Sequence, residues 1–408
     1  MTSIETIRTQ REKIAERVQA IQDQIVRFLR DLIAIPAESG QEGPVVECVR
    51  REMEKVGFDE VRVDPMGNVL GRIGNGRKII MMDSHLDTVG VGDRREWAWD
   101  PYQGKVEDGY VYGRGACDQR AGVACLVYAG KIMKELKLDG DYTFYAVGSV
   151  MEEDCDGLSW LYILREDKIR ADCVVLTEPT NLRVYRGHRG RMEIEVHLRG
   201  ISCHASAPER GVNAVYKMSR LVAEVEKLNE RLRSDSFLGK GTVAVTEIRS
   251  LSPSLCAVPS ACTIHLDRRL TAGDTMESAV AEVKALPGAE EAEVEVLRYN
   301  CPSYSGLVYP MEKYYPTWLL EEDHPLVRAG VNTYRAVFDK PPIVDKWIFS
   351  TNGVGSMGIM GVPTIGFGPG EEDVAHSVRE RVAVRHLVEA TQFYAAFPLV
   401  YVDTVRAS

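Results

Sequence analysis

The segment "KIIMMDSHLDTVG", Lys78 to Gly90, constrains this chain more than any other. Ile79, Ile80, Met81 and Met82 form an apolar run of the kind found in buried strands, and the chain then turns charged within one residue. If the extended backbone continues, Asp83, His85 and Asp87 occupy alternate positions on one face, two carboxylates flanking one imidazole. Two arrangements produce this pattern. One is a histidine hydrogen-bonded to its neighbours on a solvated loop. The other is half of a metal site, in which the aspartate two residues on accepts the second ring proton and fixes the tautomer. The choice turns on whether other ligand-type residues reach the same place.

The surrounding pattern is that of a layered α/β fold. Helical periodicity runs near 5–33 and 42–56, strand-like segments near 61–64, 69–73 and 78–83, a helix near 119–136, and strands near 142–150 and 172–177. After Arg186 the pattern changes. "RMEIEVHLR" at 191–199 alternates as a half-buried strand, and Val215, Met218, Val222, Val225 and Leu232 line one face of a helix. Strands "TVAVTEI" (242–248) and "ACTIHLDRR" (261–269) follow. Asp274 and Glu277 have the spacing of a capping box before a helix that Pro287 and Gly288 stop, and a strand spans 292–298. The order βαββαβ is that of a ferredoxin-like module inserted into the first domain. Residues 299–320, rich in Tyr and Pro, carry the chain back to helical pattern at 324–338, a short strand "VPTIGF" at 362–367 and a closing helix near 379–396. The expected division is 1–186 and 300–408 for the α/β domain and 187–299 for the insertion.

Composition narrows the partners. The 50 basic and 60 acidic residues of the 408 give a net charge of −10, without a Lys/Arg run that would mark a nucleic-acid surface. The opening "MTSIETIRTQREKIAERVQAIQDQIVRFLRDLIAI" carries charge throughout and lacks the apolar core of a signal peptide, and no segment approaches membrane-spanning length. Nine cysteines without a C-x-x-C pair fit reduced thiols in a cytoplasmic protein.

Ligand-type residues recur after the predicted strands of the α/β part. "YTFYAVGSV" ends in Met151-Glu152-Glu153-Asp154, "DCVVL" in Thr177-Glu178-Pro179, and "VPTIGF" runs through Gly368-Pro369-Gly370 to His376. Asp118, in "GRGACDQRAG", stands at the expected N-cap of the helix starting at Gln119. In an open α/β sheet, ligands bind in the crevice beyond the carboxyl ends of the strands. Two imidazoles and several carboxylates without cysteine suit divalent zinc or cobalt, and a bridging carboxylate lets two ions share an activated water. Of the adjacent pair Glu152-Glu153, one is expected to ligate and the other to stay free as a general base.

Taken together, "SHLDTV", "GRGACDQRAG", "MEED", "TEPT" and "GFGPG…AHSVRE" resemble the zinc aminoacylase and metallopeptidase family that includes acetylornithine deacetylase, succinyl-diaminopimelate desuccinylase and carboxypeptidase G, closest to a bacterial subgroup described as linked to selenium metabolism. The resemblance implies a catalytic α/β domain with an inserted ferredoxin-like lid. It implies two divalent ions, zinc before cobalt or manganese, with His85 and Glu178 on one, Glu153 and His376 on the other and Asp118 bridging. Glu152 would be the base and Asp87 the residue orienting His85. "GISCHASAPERGVNAV" resembles the family segment whose histidine, here His204, reaches a neighbouring subunit's site in a homodimer formed through the lid. Arg269, in "DRRLTAG", would bind a substrate carboxylate, with Asn213 and Gly368 also at the substrate. Ser84, Gln119-Arg120 and Arg379 depart from the usual residues, and Arg120 and Arg379 are expected to alter the charge of the pocket. The implied reaction is hydrolysis of an amide-type C–N bond in a small carboxylate-bearing molecule: an N-acyl or N-carbamoyl amino acid, or a dipeptide. An aminopeptidase or dipeptidase is the neighbouring alternative, and a two-metal phosphoesterase or a catalytically silent metal-binding oligomer are competing classes. "GVGSMG" at 353–358 satisfies G-x-G-x-x-G but meets Pro363 too soon to open a phosphate-binding helix.

Overall fold

The computed structural model describes residues 3–406. Its main sheet has nine strands in the order Glu60–Val63, Val69–Ile73, Tyr142–Ser149, Lys78–His85, Cys173–Leu176, Thr364–Gly366, Val184–His188 and Trp318–Leu319, with Val344–Trp347 also on Val184–His188. The four central strands, Tyr142–Ser149, Lys78–His85, Cys173–Leu176 and Thr364–Gly366, are mutually parallel. Their carboxyl ends therefore open on one side of the sheet. The register aligns them closely: His85 is opposite Ser149, Asp83 opposite Leu176, and Leu176 opposite Gly366.

Helices cover the sheet. The expected helix at 5–33 is two, Ser3–Ala20 and Gln22–Ile33, broken at Ile21. The break costs little, because the Gln24 and Ile25 amides still bond to the Ile21 carbonyl and the Ile21 side chain stays in the core. Helix Leu158–Arg165 escapes a periodicity reading because residues 158–164 are all buried, leaving no polar face to mark its turn. The closing helix starts at Val384 rather than near 379, because Arg381–Ala383 pairs as a strand with Tyr110–Tyr112. It also runs through Pro398 to Arg406. Residues from Phe393 to Val402 are buried throughout, and that packing outweighs the roughly 3 kcal/mol a proline costs inside a helix.

The insertion forms its own core. Its antiparallel sheet runs Thr242–Leu251, Ala261–Leu270, Gly190–Arg199, Glu293–Val296, the strand order of a ferredoxin-like unit, with helices Ala214–Arg231 and Met276–Lys284 packed against it. Met192, Ile194, Val196 and Leu198 alternate into that core with Ile264, Leu266, Met218 and Leu221. The second helix is capped one residue later than expected. Thr275 and Ser278 form the reciprocal box, and Asp274 instead takes the Thr271 amide and pairs with Arg268. Where lid and sheet meet, the Arg186 guanidinium stands 3.9 Å and the Lys346 ammonium 4.9 Å from the centroid of the Phe237 ring. All nine cysteines are free thiols, and no described helix is long and apolar enough to cross a membrane.

Candidate metal centre

His85 is the last residue of its strand and is almost fully buried. Its Nδ1 lies 2.9 Å from the main-chain carbonyl of Asp87, an atom that can only accept, so Nδ1 carries the proton and Nε2 presents its lone pair to the cluster. The aspartate fixes the tautomer through its backbone and not mainly through its carboxylate, whose Oδ1 stands 3.5 Å away. The other carboxylate oxygen accepts from Ser39 Oγ at 2.7 Å and from the Glu153 amide at 3.0 Å, which ties the histidine loop to the Glu152-Glu153 loop. Asp83 does not join the cluster. It accepts from Asn352 Nδ2 at 2.9 Å within the protein interior.

Asp118 lies between both imidazoles. Its Oδ1 is 2.9 Å from His85 Nε2 and its Oδ2 is 3.1 Å from His376 Nε2. It does not cap the following helix, which begins at Arg120 with Gln119 in the cap position after a cis Asp118–Gln119 peptide. Its side chain is already committed to the imidazoles. The main-chain amides of Cys117 and Asp118 donate to Glu380 Oε1 at 3.0 and 3.1 Å, and the Arg114 guanidinium holds Glu380 Oε2 at 2.5 Å. Burial pushes the Glu380 carboxyl up to about 7.

The remaining donors arrive from the neighbouring strand ends. Glu153 Oε2 is 3.1 Å from His376 Nε2, and Glu178 Oε1 is 3.7 Å from His85 Nε2. Two triads result, His85/Asp118/Glu178 and Asp118/Glu153/His376, each with its ligand atoms within 4.8 Å of one another and sharing Asp118. Glu152 belongs to neither, with Oε2 3.8 Å from His85 Nε2. Met151 and His376 both adopt left-handed backbone (φ 64° and 57°), a cost non-glycine residues bear mainly where a side chain must be aimed.

The electrostatics of the cluster ask for cations. Burial, then the field of Glu178, drives the Glu152 carboxyl well above its ordinary range despite the opposing pull of His85. Burial and Asp118 do the same to Glu178. Burial works against charge on His85, but the fields of Glu152, Asp118 and Asp87 override it and hold it well above the usual imidazole value. Hydrogen bonds to Asp118 and Glu153 push His376 up to about 10. A buried group of carboxylates that recruits protons onto two imidazoles fits divalent ions, which supply the same positive charge through the same nitrogen and oxygen donors.

The cluster floors a cleft of about 330 Å³. The lid contributes Arg269 and, directly across the strand pair from it, Arg191. Arg191 went unseen in the sequence although its signal was there. It shares the odd parity of "RMEIEVHLR", opposite to Met192, Ile194 and Val196 in the lid core. Asp156, Ser350 and Glu372 also line the cleft, from loops without periodicity to betray them. Asp156 pairs with Arg191 at 3.3 Å and accepts from Ser350.

Asn213 and Gly368 do not line this chain's own cleft, and neither does His204, which the resemblance sends to a neighbouring subunit. His204 is exposed in the lid, with Nδ1 2.7 Å from Ser206 Oγ, and does not line the cleft. Asn213 caps helix Ala214–Arg231 by accepting from the Val215 amide at 2.9 Å. Gly368 is committed within the chain: its amide donates to Thr180 Oγ1, its carbonyl accepts from Leu182, and a Cβ there would meet the Glu178 carbonyl at 2.1 Å. It lets the Glu178 loop approach.

Of the unusual residues around the centre, Ser84 and Gln119 bond each other. Ser84 Oγ donates to the Gln119 carbonyl, and the Gln119 side chain accepts from Thr177. Arg120 does not reach the pocket. It is fully buried, donating to the carbonyls of Leu32, Ile35 and Leu86. Arg379 is exposed and absent from the cleft wall.

The chain is similar to known proteins over most of its length. Residues 81–399 match the model of Peptidase family M20/M25/M40. An Escherichia coli (strain K12) protein named "Uncharacterized protein YgeY" is 53% identical over 96% of this chain and 98% of its own length. A succinyl-diaminopimelate desuccinylase of Cereibacter sphaeroides is 29% identical over 65% of this chain and 74% of its own. Among solved structures, aminopeptidase PepT of Bacillus cereus superposes with a TM-score of 0.71 at 20% identity, covering 93% of this chain and 98% of that one. The Bacillus subtilis YxeP protein, a dinuclear metal-binding peptidase, superposes at 0.68 and 13% identity over 94% and 98%. The chain belongs to Peptidase family M20/M25/M40 and is a metal-dependent hydrolase of amide bonds.

Proposed function

We propose that the protein uses two divalent ions, zinc foremost, to hydrolyse an amide-type C–N bond in a small amino-acid derivative with a free carboxylate: an N-acyl or N-carbamoyl amino acid or a dipeptide. His85 and Glu178 would hold one ion, Glu153 and His376 the other, and Asp118 both. Such ions polarise a carbonyl and acidify water. Glu152, buried beside the cluster yet outside both triads, carries the reading. Its Oε atoms take the proton of the attacking water and return it to the leaving amine, a transfer suited to a carboxyl raised from its ordinary range. Arg269 holds the substrate carboxylate through two parallel hydrogen bonds and sets the scissile bond against the cluster.

The active form on this reading is a homodimer joined through the lid, with His204 serving the partner's cleft. Strand Thr242–Leu251 is an uncovered edge, and Ile201, Val212, Tyr216, Ile248, Leu251 and Leu255 are exposed on the same unit. On this reading the free thiols suit a reducing, cytoplasmic setting. A panel of N-acyl and N-carbamoyl amino acids and dipeptides, assayed by amine release with zinc, cobalt or manganese, tests the proposal. Metal-restored hydrolysis of at least one class is the expected result. Cleavage of phosphoesters alone, or metal binding without any turnover, contradicts it.

A further inference from the structure

Outside the metal cluster the cleft wall carries the charged side chains of Asp156, Arg191, Arg269 and Glu372, and all but one are paired with opposite charge in the chain's own ion pairs. Arg191 is held by Asp156 at 3.3 Å and by Glu193 at 3.5 Å. Asp156 in turn takes Ser350. Arg269 rests on Asp267 through contacts of 2.7 and 3.0 Å, a pairing a substrate carboxylate can replace. Glu372 differs. It is half-buried in the cleft wall, four residues before His376, on the short 3₁₀ turn Glu372–Val374. Its Oε1 accepts from the Tyr185 hydroxyl, and the Tyr185 ring is fixed edge-on to Trp347 at 5.0 Å. Among the described residues no cationic nitrogen forms an ion pair with it. Arg183, whose field reaches it, is held by Asp345 at 3.2 Å. A carboxylate aimed into a cleft, oriented by a rigid tyrosine and left without a counter-charge, is a site for a cation the protein does not supply.

Building on the amide-hydrolase reading, we propose that Glu372 binds a free ammonium group of the substrate, so that the cleft selects zwitterionic substrates over N-acyl or N-carbamoyl monoamino acids. The selected substrates are dipeptides with an unblocked amine or mono-acylated diamino acids. Arg269 and Glu372 then read opposite charges of one molecule, and the cluster lies along the same cleft.

The test uses matched pairs that differ only in the amine: dipeptides against their N-acetyl forms, and N-acetylornithine against N-acetylnorvaline. Hydrolysis and calorimetric binding are both measured on the metal-loaded enzyme. The expected result is a preference of about tenfold or more for the amine-bearing member of a pair, in kcat/KM and in affinity. Glu372→Gln, which keeps an acceptor for Tyr185 but removes the charge, should bring that ratio close to one. Tyr185→Phe should lower it by less and chiefly through KM, which separates loss of orientation from loss of fold. Equal handling of both members by the parent enzyme, or an unchanged ratio in Glu372→Gln, overturns the assignment. If nothing is hydrolysed but amine-bearing members still bind preferentially and lose that preference in Glu372→Gln, the reaction assignment fails while the ammonium site stands.

Discussion

Arg268 and Arg269 are neighbours on one lid strand yet face opposite ways. Arg268 is 1% exposed and paired with Asp274 and Glu282 on the helical side of the sheet, whereas Arg269 is 31% exposed and lines the cleft. Their substitutions should therefore fail differently. Arg269→Ala and Arg269→Lys should each lose roughly 1.5–3 kcal/mol of transition-state stabilisation, about 10- to 150-fold in kcat/KM on a carboxylate substrate, because an ammonium cannot reproduce two parallel bonds. The same variants should show little loss on the carboxamide analogue. Arg268→Ala strands a buried carboxylate, and urea denaturation should show about 3–5 kcal/mol of lost stability, with any loss of turnover following from the fold.

Arg120 clamps the loop that carries His85. Its guanidinium spans the carbonyls of Leu32, Ile35 and Leu86 at 2.7, 2.7 and 3.0 Å, and Leu86 lies between His85 and Asp87. A lysine cannot reach all three acceptors. Arg120→Lys should lose roughly 1–3 kcal/mol for each carbonyl left unsatisfied. Metal affinity, read by competition with a chelator, should fall by about 10- to 100-fold, as when a partner of a ligating histidine is lost.

Acid stability should carry the mark of two buried histidines outside the metal centre. Burial pushes His188 and His386 down to about 4, against 6.5 for the unperturbed group. His386 must stay neutral to accept the Gly370 amide on Nδ1. Between pH 6.5 and 4 the unfolded chain binds protons that the native state refuses, so stability falls as pH falls through that window and is insensitive to these groups above it. Each histidine contributes on the order of 3 kcal/mol across the full window. Denaturant midpoints measured between pH 7 and 4 should show a slope about one proton smaller in His188→Gln or His386→Gln than in the parent.

The exposed lid histidine gives the dimer a direct check. Mixing inactive His204→Ala with inactive Glu152→Gln should restore partial activity, since a mixed dimer holds one complete site. With subunit exchange verified by mass, no recovery means that His204 does not act across the interface.

Much of this arrangement is legible in the sequence. The apolar runs that lead into His85, Glu152 and Glu178 mark strands whose ends meet, because there strand burial and ligand chemistry follow each other closely in the sequence, while His376 follows its strand only after a loop. Parity sets Arg268 and Arg269 on opposite faces of the strand, and the resemblance of "DRRLTAG" picks Arg269 for the cleft. The local pattern misled where tertiary contacts decide. Asp118 looks like a helix cap, and only the approach of His85 and His376 from distant segments shows what its carboxylate holds. Arg120 looks like a pocket charge, and its burial depends on three carbonyls from two other segments. Glu372 and Asp156 sit on loops, whose side-chain directions follow neither period.

The central claim is that adjacent glutamates divide the labour, Glu153 holding metal and Glu152 moving the proton. Metal content and turnover measured on the same preparations of Glu152→Gln and Glu153→Gln test it most directly. Glu152→Gln should keep the metal content of the parent while kcat falls by roughly 10²–10⁴. Glu153→Gln should lose metal. Loss of metal from Glu152→Gln with retention in Glu153→Gln, or full turnover in Glu152→Gln, would contradict the account.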